Sequence, residues 1–236
     1  MKAMASEYVV PMPEVVSIPV VGQAGRFPVR RIYCVGRNYE DHAKEMGFSG
    51  REAPFFFMKP ADAIVVVEEG QTGTIDYPTL TQNLHHEIEL VAAIGTGGRD
   101  IAAADAHQHI FGYAVGLDMT RRDLQADMKK QGRPWDIAKG FDQSAPIGPI
   151  VPVAQAGDVE KSDIALHVNG AARQSSNVAK LIWTIAETIE HLSKAWALQP
   201  GDLIFTGTPE GVAAVVAGDR LEGSVGGLPV LKLEIV

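Results

Sequence analysis

The 236-residue sequence contains a single cysteine, Cys34, so it offers neither an internal disulfide nor a multi-cysteine zinc site. It also lacks a run of about 18 uncharged apolar residues, the length that a membrane-spanning helix needs. The first eight residues lack the charged and then apolar layout of a secretory signal. These absences predict a soluble, cytoplasmic protein with no membrane partner. Cys34 lies in the apolar stretch Ile32–Val35, which predicts a buried structural thiol rather than a nucleophile.

Basic residues are also scarce, since 21 Lys and Arg stand against 29 Asp and Glu and give a formal net charge of -8. Nucleic-acid binding normally requires a basic face that neutralises phosphates, so no nucleic-acid partner is expected. The sequence contains no Gly-x-x-x-x-Gly-Lys-Ser/Thr, Gly-x-Ser-x-Gly or His-Glu-x-x-His motif. A phosphate-binding loop, a serine nucleophile elbow and a zinc-protease helix are therefore excluded.

Two regions differ in pattern. Residues 1–28 are rich in Pro and Val without clear periodicity, which predicts an N-terminal arm or a short edge strand. Residues 29–236 contain short apolar runs separated by Gly, Pro and Asp, such as Phe55–Phe57 and Ala63–Val67, which are typical of strands. The expected fold class is α+β, mainly β, in one domain.

Helical periodicity is limited to a few segments. The pattern predicts helices over Asp123–Lys130 and Ala179–Trp196 and a shorter turn over Ala103–His109. In the longest segment one apolar stripe recurs at spacings of four, four and three residues, which indicates packing against the core. Its members are Leu181, Ile185, Ile189 and Leu192.

Glu87 and Glu89 alternate with Ile88 and Leu90, so on a strand both carboxylates point to one face. Paired carboxylates are hard oxygen ligands that suit Mg²⁺, Mn²⁺ or Ca²⁺. An edge strand with a solvated acidic face would carry the same pattern, so a third ligand is needed. Asp118 can supply it, because it ends an apolar strand, although it could instead be the N-cap of the next helix.

Two further pairs of candidate residues have members that are three positions apart in the sequence. Arg122 and Gln125 would share a helix face and could bind a substrate carboxylate, unless both are exposed surface residues. His42 and Glu45 have the spacing of a helical pair in which a carboxylate raises the basicity of an imidazole. A surface ion pair would have the same spacing.

Two lysines and a threonine are also candidate site residues. Lys59 and Lys139 are flanked by apolar or aromatic residues, and a buried ammonium is costly unless it is paired. Thr208 lies among glycines in a segment that predicts a tight loop whose backbone can approach a ligand.

Together, and in this order, these segments resemble the fumarylacetoacetate hydrolase family from about Val29 to the C-terminus. The matching motifs are Gly36-Arg37-Asn38-Tyr39-x-x-His42-x-x-Glu45, Phe57-x-Lys59-Pro60, His86-Glu87-x-Glu89-Leu90, Leu117-Asp118-x-Thr120-x-Arg122-Asp123, Lys139-Gly140-Phe141, Asn169-Gly170-x-x-Arg173-Gln174 and Pro200-Gly201-Asp202-Leu203-Ile204-x-Thr206-Gly207-Thr208-Pro209. One departure is Ala213, where many relatives have glycine.

The resemblance implies a rolled, mixed β-sheet in a catalytic domain over residues 29–236, usually a homodimer. It implies one Mg²⁺ or Mn²⁺ per subunit, bound by Glu87, Glu89 and Asp118. It also assigns a water-activating dyad on a mobile lid to His42 and Glu45, and a place beside the bound substrate to Lys139. The substrate-binding residues expected from it are Arg37, Asn38, Tyr39, Lys59, Arg122, Gln125, Gln174 and Thr208.

Phe55–Phe57, Asn83–Glu87 and Arg133–Trp135 make the chain most similar to the family members that hydrolyse acylpyruvates. The expected reaction is cleavage of a carbon–carbon bond in a small diketo acid, with fumarylpyruvate and water giving fumarate and pyruvate, in aromatic catabolism. Decarboxylation of oxaloacetate or isomerisation of a 2-hydroxyhepta-2,4-diene-1,7-dioate type of acid are alternatives on the same site. A binding module that has kept only the fold is a third.

Overall fold

The computed structural model describes residues 8–40 and 51–236, and these ranges form an α+β fold that is mainly β. Its strands are β1 (Ser17–Pro19), β2 (Arg26–Pro28), β3 (Ile32–Gly36), β4 (Phe55–Lys59), β5 (Ile64–Val66), β6 (Thr72–Ile75), β7 (Leu84–His85), β8 (Ile88–Ile94), β9 (Ile110–Leu117), β10 (Thr120–Arg121), β11 (Ala145–Ile147), β12 (Val151–Pro152), β13 (Asp163–Val168), β14 (Ala171–Asn177), β15 (Leu203–Phe205), β16 (Ala214–Val215), β17 (Arg220–Val225) and β18 (Leu231–Ile235). The described α-helices are Arg122–Gln131, Asp136–Lys139, Val153–Ala156 and Ile185–Ala195. Short 3-10 helices cover Ala61–Ala63, Ala103–His109, Val159–Lys161 and Val178–Lys180. The predicted fold class is confirmed.

The central sheet is mixed and curled, and its strands run in the order β4-β3-β15-β8-β9-β11-β5, with β12 also paired to β9. β3 and β15 are parallel, whereas β8 and β9 are antiparallel to each other. Every residue of β8 is buried, because strands flank it on both edges and other elements cover both of its faces. This burial explains why its sequence is apolar almost throughout.

A second sheet of five strands, in the order β14-β13-β17-β18-β6, packs against the central one. Gly223 on β17 lies at this contact, where an added Cβ would stand 2.5 Å from the Cδ1 atom of Ile88. Glycine therefore allows β17 to approach the start of β8 closely.

The N-terminal stretch is partly integrated into the fold. β1 and β2 form an antiparallel hairpin whose Ile18 and Phe27 are buried, and Val20 makes a β-bridge to Ile150. Residues 8–15, by contrast, are exposed. The described part of the predicted arm thus packs on the domain from about Val16 onward, and the division at residue 28 stays a prediction.

The predicted helix over Ala179–Trp196 is wrong in its first part. The α-helix begins at Ile185, because the Thr184 side chain accepts a hydrogen bond from the Glu187 N–H and the Glu187 carboxylate accepts one from the Thr184 N–H, forming a capping box. Leu181 lies before that cap and bridges to Tyr39 instead. The remaining stripe residues are buried as expected, and they are Ile185, Ile189 and Leu192.

The other helical predictions hold. The helix Arg122–Gln131 extends the predicted range by one residue at each end and terminates at Gly132, whose φ of 64° allows the left-handed C-terminal turn. Ala103–His109 is a 3-10 helix. No helix in the described ranges combines the length and apolar character that crossing a membrane would require.

Candidate metal and substrate site

Three carboxylates converge where β8 begins and β9 ends. Glu89 lies on β8, Glu87 directly precedes it, and Asp118 directly follows β9. The two strands are antiparallel neighbours, with Ile88 opposite Leu117, so the start of one meets the end of the other. The Asp118 N–H donates to the Glu87 carbonyl at 2.9 Å, which fixes this arrangement.

The carboxylate oxygens of Glu87, Glu89 and Asp118 lie within 4.8 Å of one another, and all three residues are buried. The alternative of a solvated acidic edge is wrong, because β8 lies between β15 and β9. The alternative of a helix cap is also wrong for Asp118, because the next helix begins at Arg122. The predicted convergence of the three residues is confirmed.

Two buried lysines contact this triad. Lys139 Nζ donates to Glu87 Oε2 at 2.9 Å, to Asp118 Oδ2 at 2.7 Å and to Thr120 Oγ1 at 2.6 Å. Lys59 Nζ forms an ion pair with Asp118 Oδ1 at 2.8 Å and donates to the Met119 carbonyl at 3.1 Å. Both ammonium groups are therefore buried with the partners that burial demands.

The burial and charges of the site shift the pKa values of Glu89 and Lys139. Burial raises the pKa of Glu89 well above its usual range, and the charges of Asp118 and Glu87 raise it further, while the Gly207 N–H at 2.8 Å opposes them. Burial alone would lower the pKa of Lys139, but Asp118 and Glu87 outweigh it and raise that pKa. Close, buried carboxylates of this kind fit a hard divalent cation, which would relieve their mutual repulsion.

Arg122 and Gln125 share one face of the helix Arg122–Gln131, as their spacing predicts. Arg122 donates to Gln125 Oε1 at 2.5 Å, pairs with Glu87, and donates from Nε to His85 Nδ1 at 3.3 Å. Only 18% of the Arg122 side chain is exposed, and Gln125 is buried, so the surface alternative is wrong for this pair.

His85 orients that arginine. Because Nδ1 accepts from Arg122, the ring proton lies on Nε2, which is 3.0 Å from Asn83 Oδ1. Burial and the neighbouring Arg122 charge lower the pKa of His85 to about 4, so the ring is neutral at pH 7. The neutral imidazole is the form that can accept the Nε–H of Arg122.

Gln174 ties the Thr208 loop to the start of β8. Its Oε1 accepts from the Ile88 N–H at 3.1 Å and lies 3.0 Å from His86 Nδ1. Its Nε2 donates to Thr208 Oγ1 at 2.8 Å and to the Pro209 carbonyl at 2.9 Å. Gln174 is thus occupied by protein partners, and direct substrate contact by it stays a prediction.

Asn38, like Gln174, makes hydrogen bonds to distant segments of the chain. Its Nδ2 donates to the carbonyls of Trp183 and Thr206 at 2.9 and 2.8 Å, and its Oδ1 accepts from the Trp183 N–H at 2.8 Å. Gly207 follows with a φ of 104°, and a Cβ there would stand 2.7 Å from that of Asn38. Asn38 and its neighbour Tyr39 are buried, and their predicted substrate contacts remain untested.

A cavity of about 30 Å³ opens beside the triad. Seven of the residues predicted for the site line it, and they are Arg37, Glu87, Glu89, Arg122, Gln125, Lys139 and Thr208. The lining also includes Phe55, Phe57 and Trp135, which the sequence patterns did not single out as site residues. Alternation along β4 could have placed Phe55 and Phe57 on one face, but nothing in the sequence shows which face meets the triad.

The predicted dyad of His42 and Glu45 lies outside the described residues. Arg37, just before that segment, lines the cavity with its guanidinium 5.1 Å from the centre of the Phe55 ring.

The fold and the triad together define an enzyme-like site for a divalent cation, and comparison with known proteins assigns the family. The family model described as the fumarylacetoacetate hydrolase C-terminal domain matches residues 31–236, and the chain belongs to this family.

Relatives with different activities are similar to this chain. A fumarylpyruvate hydrolase of Ralstonia sp is 50% identical over 184 residues, covering 78% of this chain and 93% of the relative. A crystal structure of the Pseudomonas aeruginosa fumarylpyruvate hydrolase with Mn²⁺ and pyruvate matches with a TM-score of 0.95 at 54% identity, covering 98% of this chain and 99% of the other. An oxaloacetate tautomerase of Escherichia coli is 39% identical, covering 83% of this chain and 88% of the relative.

Proposed function

We propose that the protein hydrolyses the carbon–carbon bond of an acylpyruvate, with fumarylpyruvate and water giving fumarate and pyruvate. The observation that carries the proposal is the buried triad beside Lys139, in a chain 54% identical to a fumarylpyruvate hydrolase whose structure contains Mn²⁺ and pyruvate.

Glu87, Glu89 and Asp118 would hold one Mn²⁺ or Mg²⁺ per subunit, since their oxygens are hard ligands within 4.8 Å of one another. When bound, such a cation supplies Lewis acidity to the keto acid end of the substrate.

The charged and polar groups around the cavity would orient that substrate. Arg122 is held in place by Gln125 and His85, so its guanidinium is preorganised for a substrate carboxylate. Arg37 and Thr208 line the same cavity and can contact the ligand there. Asn38, Tyr39, Lys59 and Gln174 complete the proposed substrate set, and the hydrogen bonds of Asn38 and Gln174 support the loops behind it.

His42 and Glu45 would take the proton from water. The water oxygen then adds to the distal carbonyl carbon, and the bond from that carbon to the pyruvate methylene breaks. The electron pair leaves with pyruvate as its enolate, and protonation of the methylene completes the reaction. Lys139 lies where its positive charge can stabilise the negative charge that develops.

A substrate screen tests this function directly. Purified protein with Mg²⁺ or Mn²⁺ is assayed on fumarylpyruvate, maleylpyruvate, acetylpyruvate and oxaloacetate, and pyruvate release is followed. The proposal expects the highest kcat/KM for an acylpyruvate. It fails if no acylpyruvate is cleaved with either metal while the protein is folded.

A second function is supported by the relatives named oxaloacetate tautomerase and by a 5-carboxymethyl-2-hydroxymuconate isomerase structure from Mycobacterium smegmatis that is 36% identical. The same carboxylates suit a keto acid that is isomerised or decarboxylated. Formation of the enol or of carbon dioxide from oxaloacetate, without cleavage of acylpyruvates, would favour this alternative.

A homodimer, a cytoplasmic location, a role in aromatic catabolism and a division between residues 28 and 29 are further parts of the proposal. Light scattering on the purified protein tests the dimer, and a variant lacking residues 1–28 tests the division. Because Ile18 and Phe27 are buried, that truncation is expected to destabilise the domain.

A further inference from the structure

A second cavity adjoins the one beside the triad. Its volume is about 460 Å³, within the range of small-molecule sites, and it shares Phe55, Phe57, Trp135 and Lys139 with the smaller cavity. The smaller cavity offers only about 30 Å³, which leaves little room beyond the reacting end of a ligand. Because the two cavities share these four lining residues, the rest of an acylpyruvate can extend past them into the larger cavity.

Aromatic rings form that shared wall. The centre of the Trp135 ring lies 5.5 Å from the centre of the Phe55 ring, in an edge-on contact, and 5.8 Å from the centre of the Phe57 ring. Phe55 and Phe57 belong to β4, which pairs with β3 along its length, so their backbone is held in place. Flat, apolar walls of this kind favour a planar, unsaturated chain over a bulky saturated one.

The lining of the larger cavity contains two basic residues. Lys139 is already paired with Glu87 and Asp118. Arg133 has no side-chain hydrogen bond or ion pair to any residue in the described ranges, although its backbone N–H donates to the Met128 carbonyl at 2.9 Å. Its guanidinium is thus available to a ligand, while its backbone is anchored at the end of the helix Arg122–Gln131.

We propose that Arg133 is a specificity-determining residue, which pairs with the distal carboxylate of a substrate whose acyl arm lies against Trp135 and Phe55. This inference rests on the proposed function and assigns the residue that would favour an acylpyruvate ending in a carboxylate over one ending in a methyl group. A guanidinium binds a carboxylate through charge-assisted, often bidentate hydrogen bonds, whereas a neutral methyl end offers it nothing. Asp136 also lines the cavity and would disfavour an anionic end that is not paired with Arg133.

The test compares Arg133→Gln with the wild type on fumarylpyruvate and acetylpyruvate, in the presence of Mn²⁺. We expect kcat/KM for fumarylpyruvate to fall about 10- to 100-fold, mainly through KM, the range of a lost charge-assisted hydrogen bond. Acetylpyruvate has no distal carboxylate, so its kcat/KM is expected to change less than about twofold. Equal losses on both substrates, or no loss on either, would overturn the assignment.

Two further variants separate Arg133 from general charge effects. Lys130→Gln removes an exposed positive charge from the same helix, outside the cavity lining, and is expected to leave the ratio of the two substrates unchanged. Arg37→Gln removes a guanidinium that lines the smaller cavity. If Arg37→Gln alone lost the preference for fumarylpyruvate, the distal carboxylate would belong to Arg37 and the proposal would be wrong.

Measuring the direct binding of fumarate tests this inference independently of the proposed function. If the wild type cleaves neither acylpyruvate, the hydrolase function falls, and calorimetry with fumarate decides the subsite. Fumarate binding that is at least tenfold weaker in Arg133→Gln than in Lys130→Gln supports the assignment. Equal binding in both variants, or none in the wild type, rejects it.

Discussion

Lys139 Nζ lies 2.7 Å from Asp118 Oδ2 and 2.9 Å from Glu87 Oε2, so one ammonium bridges two of the three proposed cation ligands. The same group that would stabilise the leaving enolate also repels the cation that these ligands would bind. Catalysis and metal affinity should therefore respond in opposite directions when the charge is removed.

Lys139→Met is expected to bind Mn²⁺ at least about tenfold more tightly than the wild type, because two like charges a few ångströms apart repel by several kcal/mol in a partly buried site. Its hydrolysis of acylpyruvates should fall sharply. Titration calorimetry of metal-free protein with Mn²⁺ measures the first effect. The exposed Lys130→Met serves as the control, and unchanged Mn²⁺ affinity in Lys139→Met would show that the ammonium does not oppose the cation.

Glu89→Gln should lose Mn²⁺ binding while keeping its fold. The described protein partner of the Glu89 carboxylate is the Gly207 N–H, and the glutamine oxygen can still accept from it. Burial raises the pKa of Glu89, so a neutral side chain is tolerated there. Calorimetry measures the metal and urea unfolding measures the stability. Normal Mn²⁺ affinity in Glu89→Gln would remove Glu89 from the ligand set.

Asp118→Ala should behave differently, because Asp118 pairs with both Lys59 and Lys139. Its removal leaves two buried ammonium groups with fewer partners, and breaking a buried ion pair in this way costs about 3–5 kcal/mol. Urea unfolding of metal-free protein should show this loss in Asp118→Ala and not in Glu89→Gln. Equal stability of the two variants would mean that the lysines find other partners.

Asn38→Ala separates a structural role from substrate binding. The Asn38 side chain satisfies the Trp183 N–H and the carbonyls of Trp183 and Thr206, and a buried polar group left without a partner costs about 1–3 kcal/mol. We expect a loss of unfolding free energy of about that size. Unchanged stability together with a raised KM would instead support the substrate contact that the family resemblance implies.

The triad could be predicted from the sequence because its signals are local. Alternation places Glu87 and Glu89 on one face of a strand, and an apolar run that ends at Asp118 places a carboxylate at a strand end. The helix Arg122–Gln131 likewise follows from local periodicity, which predicted it over Asp123–Lys130.

Long-range contacts could not be predicted in the same way. Asn38 and Gln174 stand in family motifs, yet their side chains hold segments 145 and 86 residues away in the sequence, which no periodicity reveals. The aromatic wall of Phe55 and Trp135 depends on how β4 meets the turn before Lys139. The early start predicted for the helix Ile185–Ala195 arose because the apolar stripe continues through Leu181, whereas the Thr184 capping box determines where the helix begins.

His42 and Glu45 remain a prediction from the sequence, and a comparison of two reactions tests their role. Attack of water on an acylpyruvate needs a base, whereas decarboxylation of oxaloacetate chiefly needs an electron sink and consumes no water. His42→Ala is expected to lower hydrolysis of fumarylpyruvate by about 10²–10⁴-fold, the usual contribution of general base catalysis, and to lower any decarboxylation of oxaloacetate much less. Steady-state assays of both reactions at saturating Mg²⁺ decide between the roles. If both reactions fell equally, His42 would shape the site or place the substrate, and activation of water would have to come from another group.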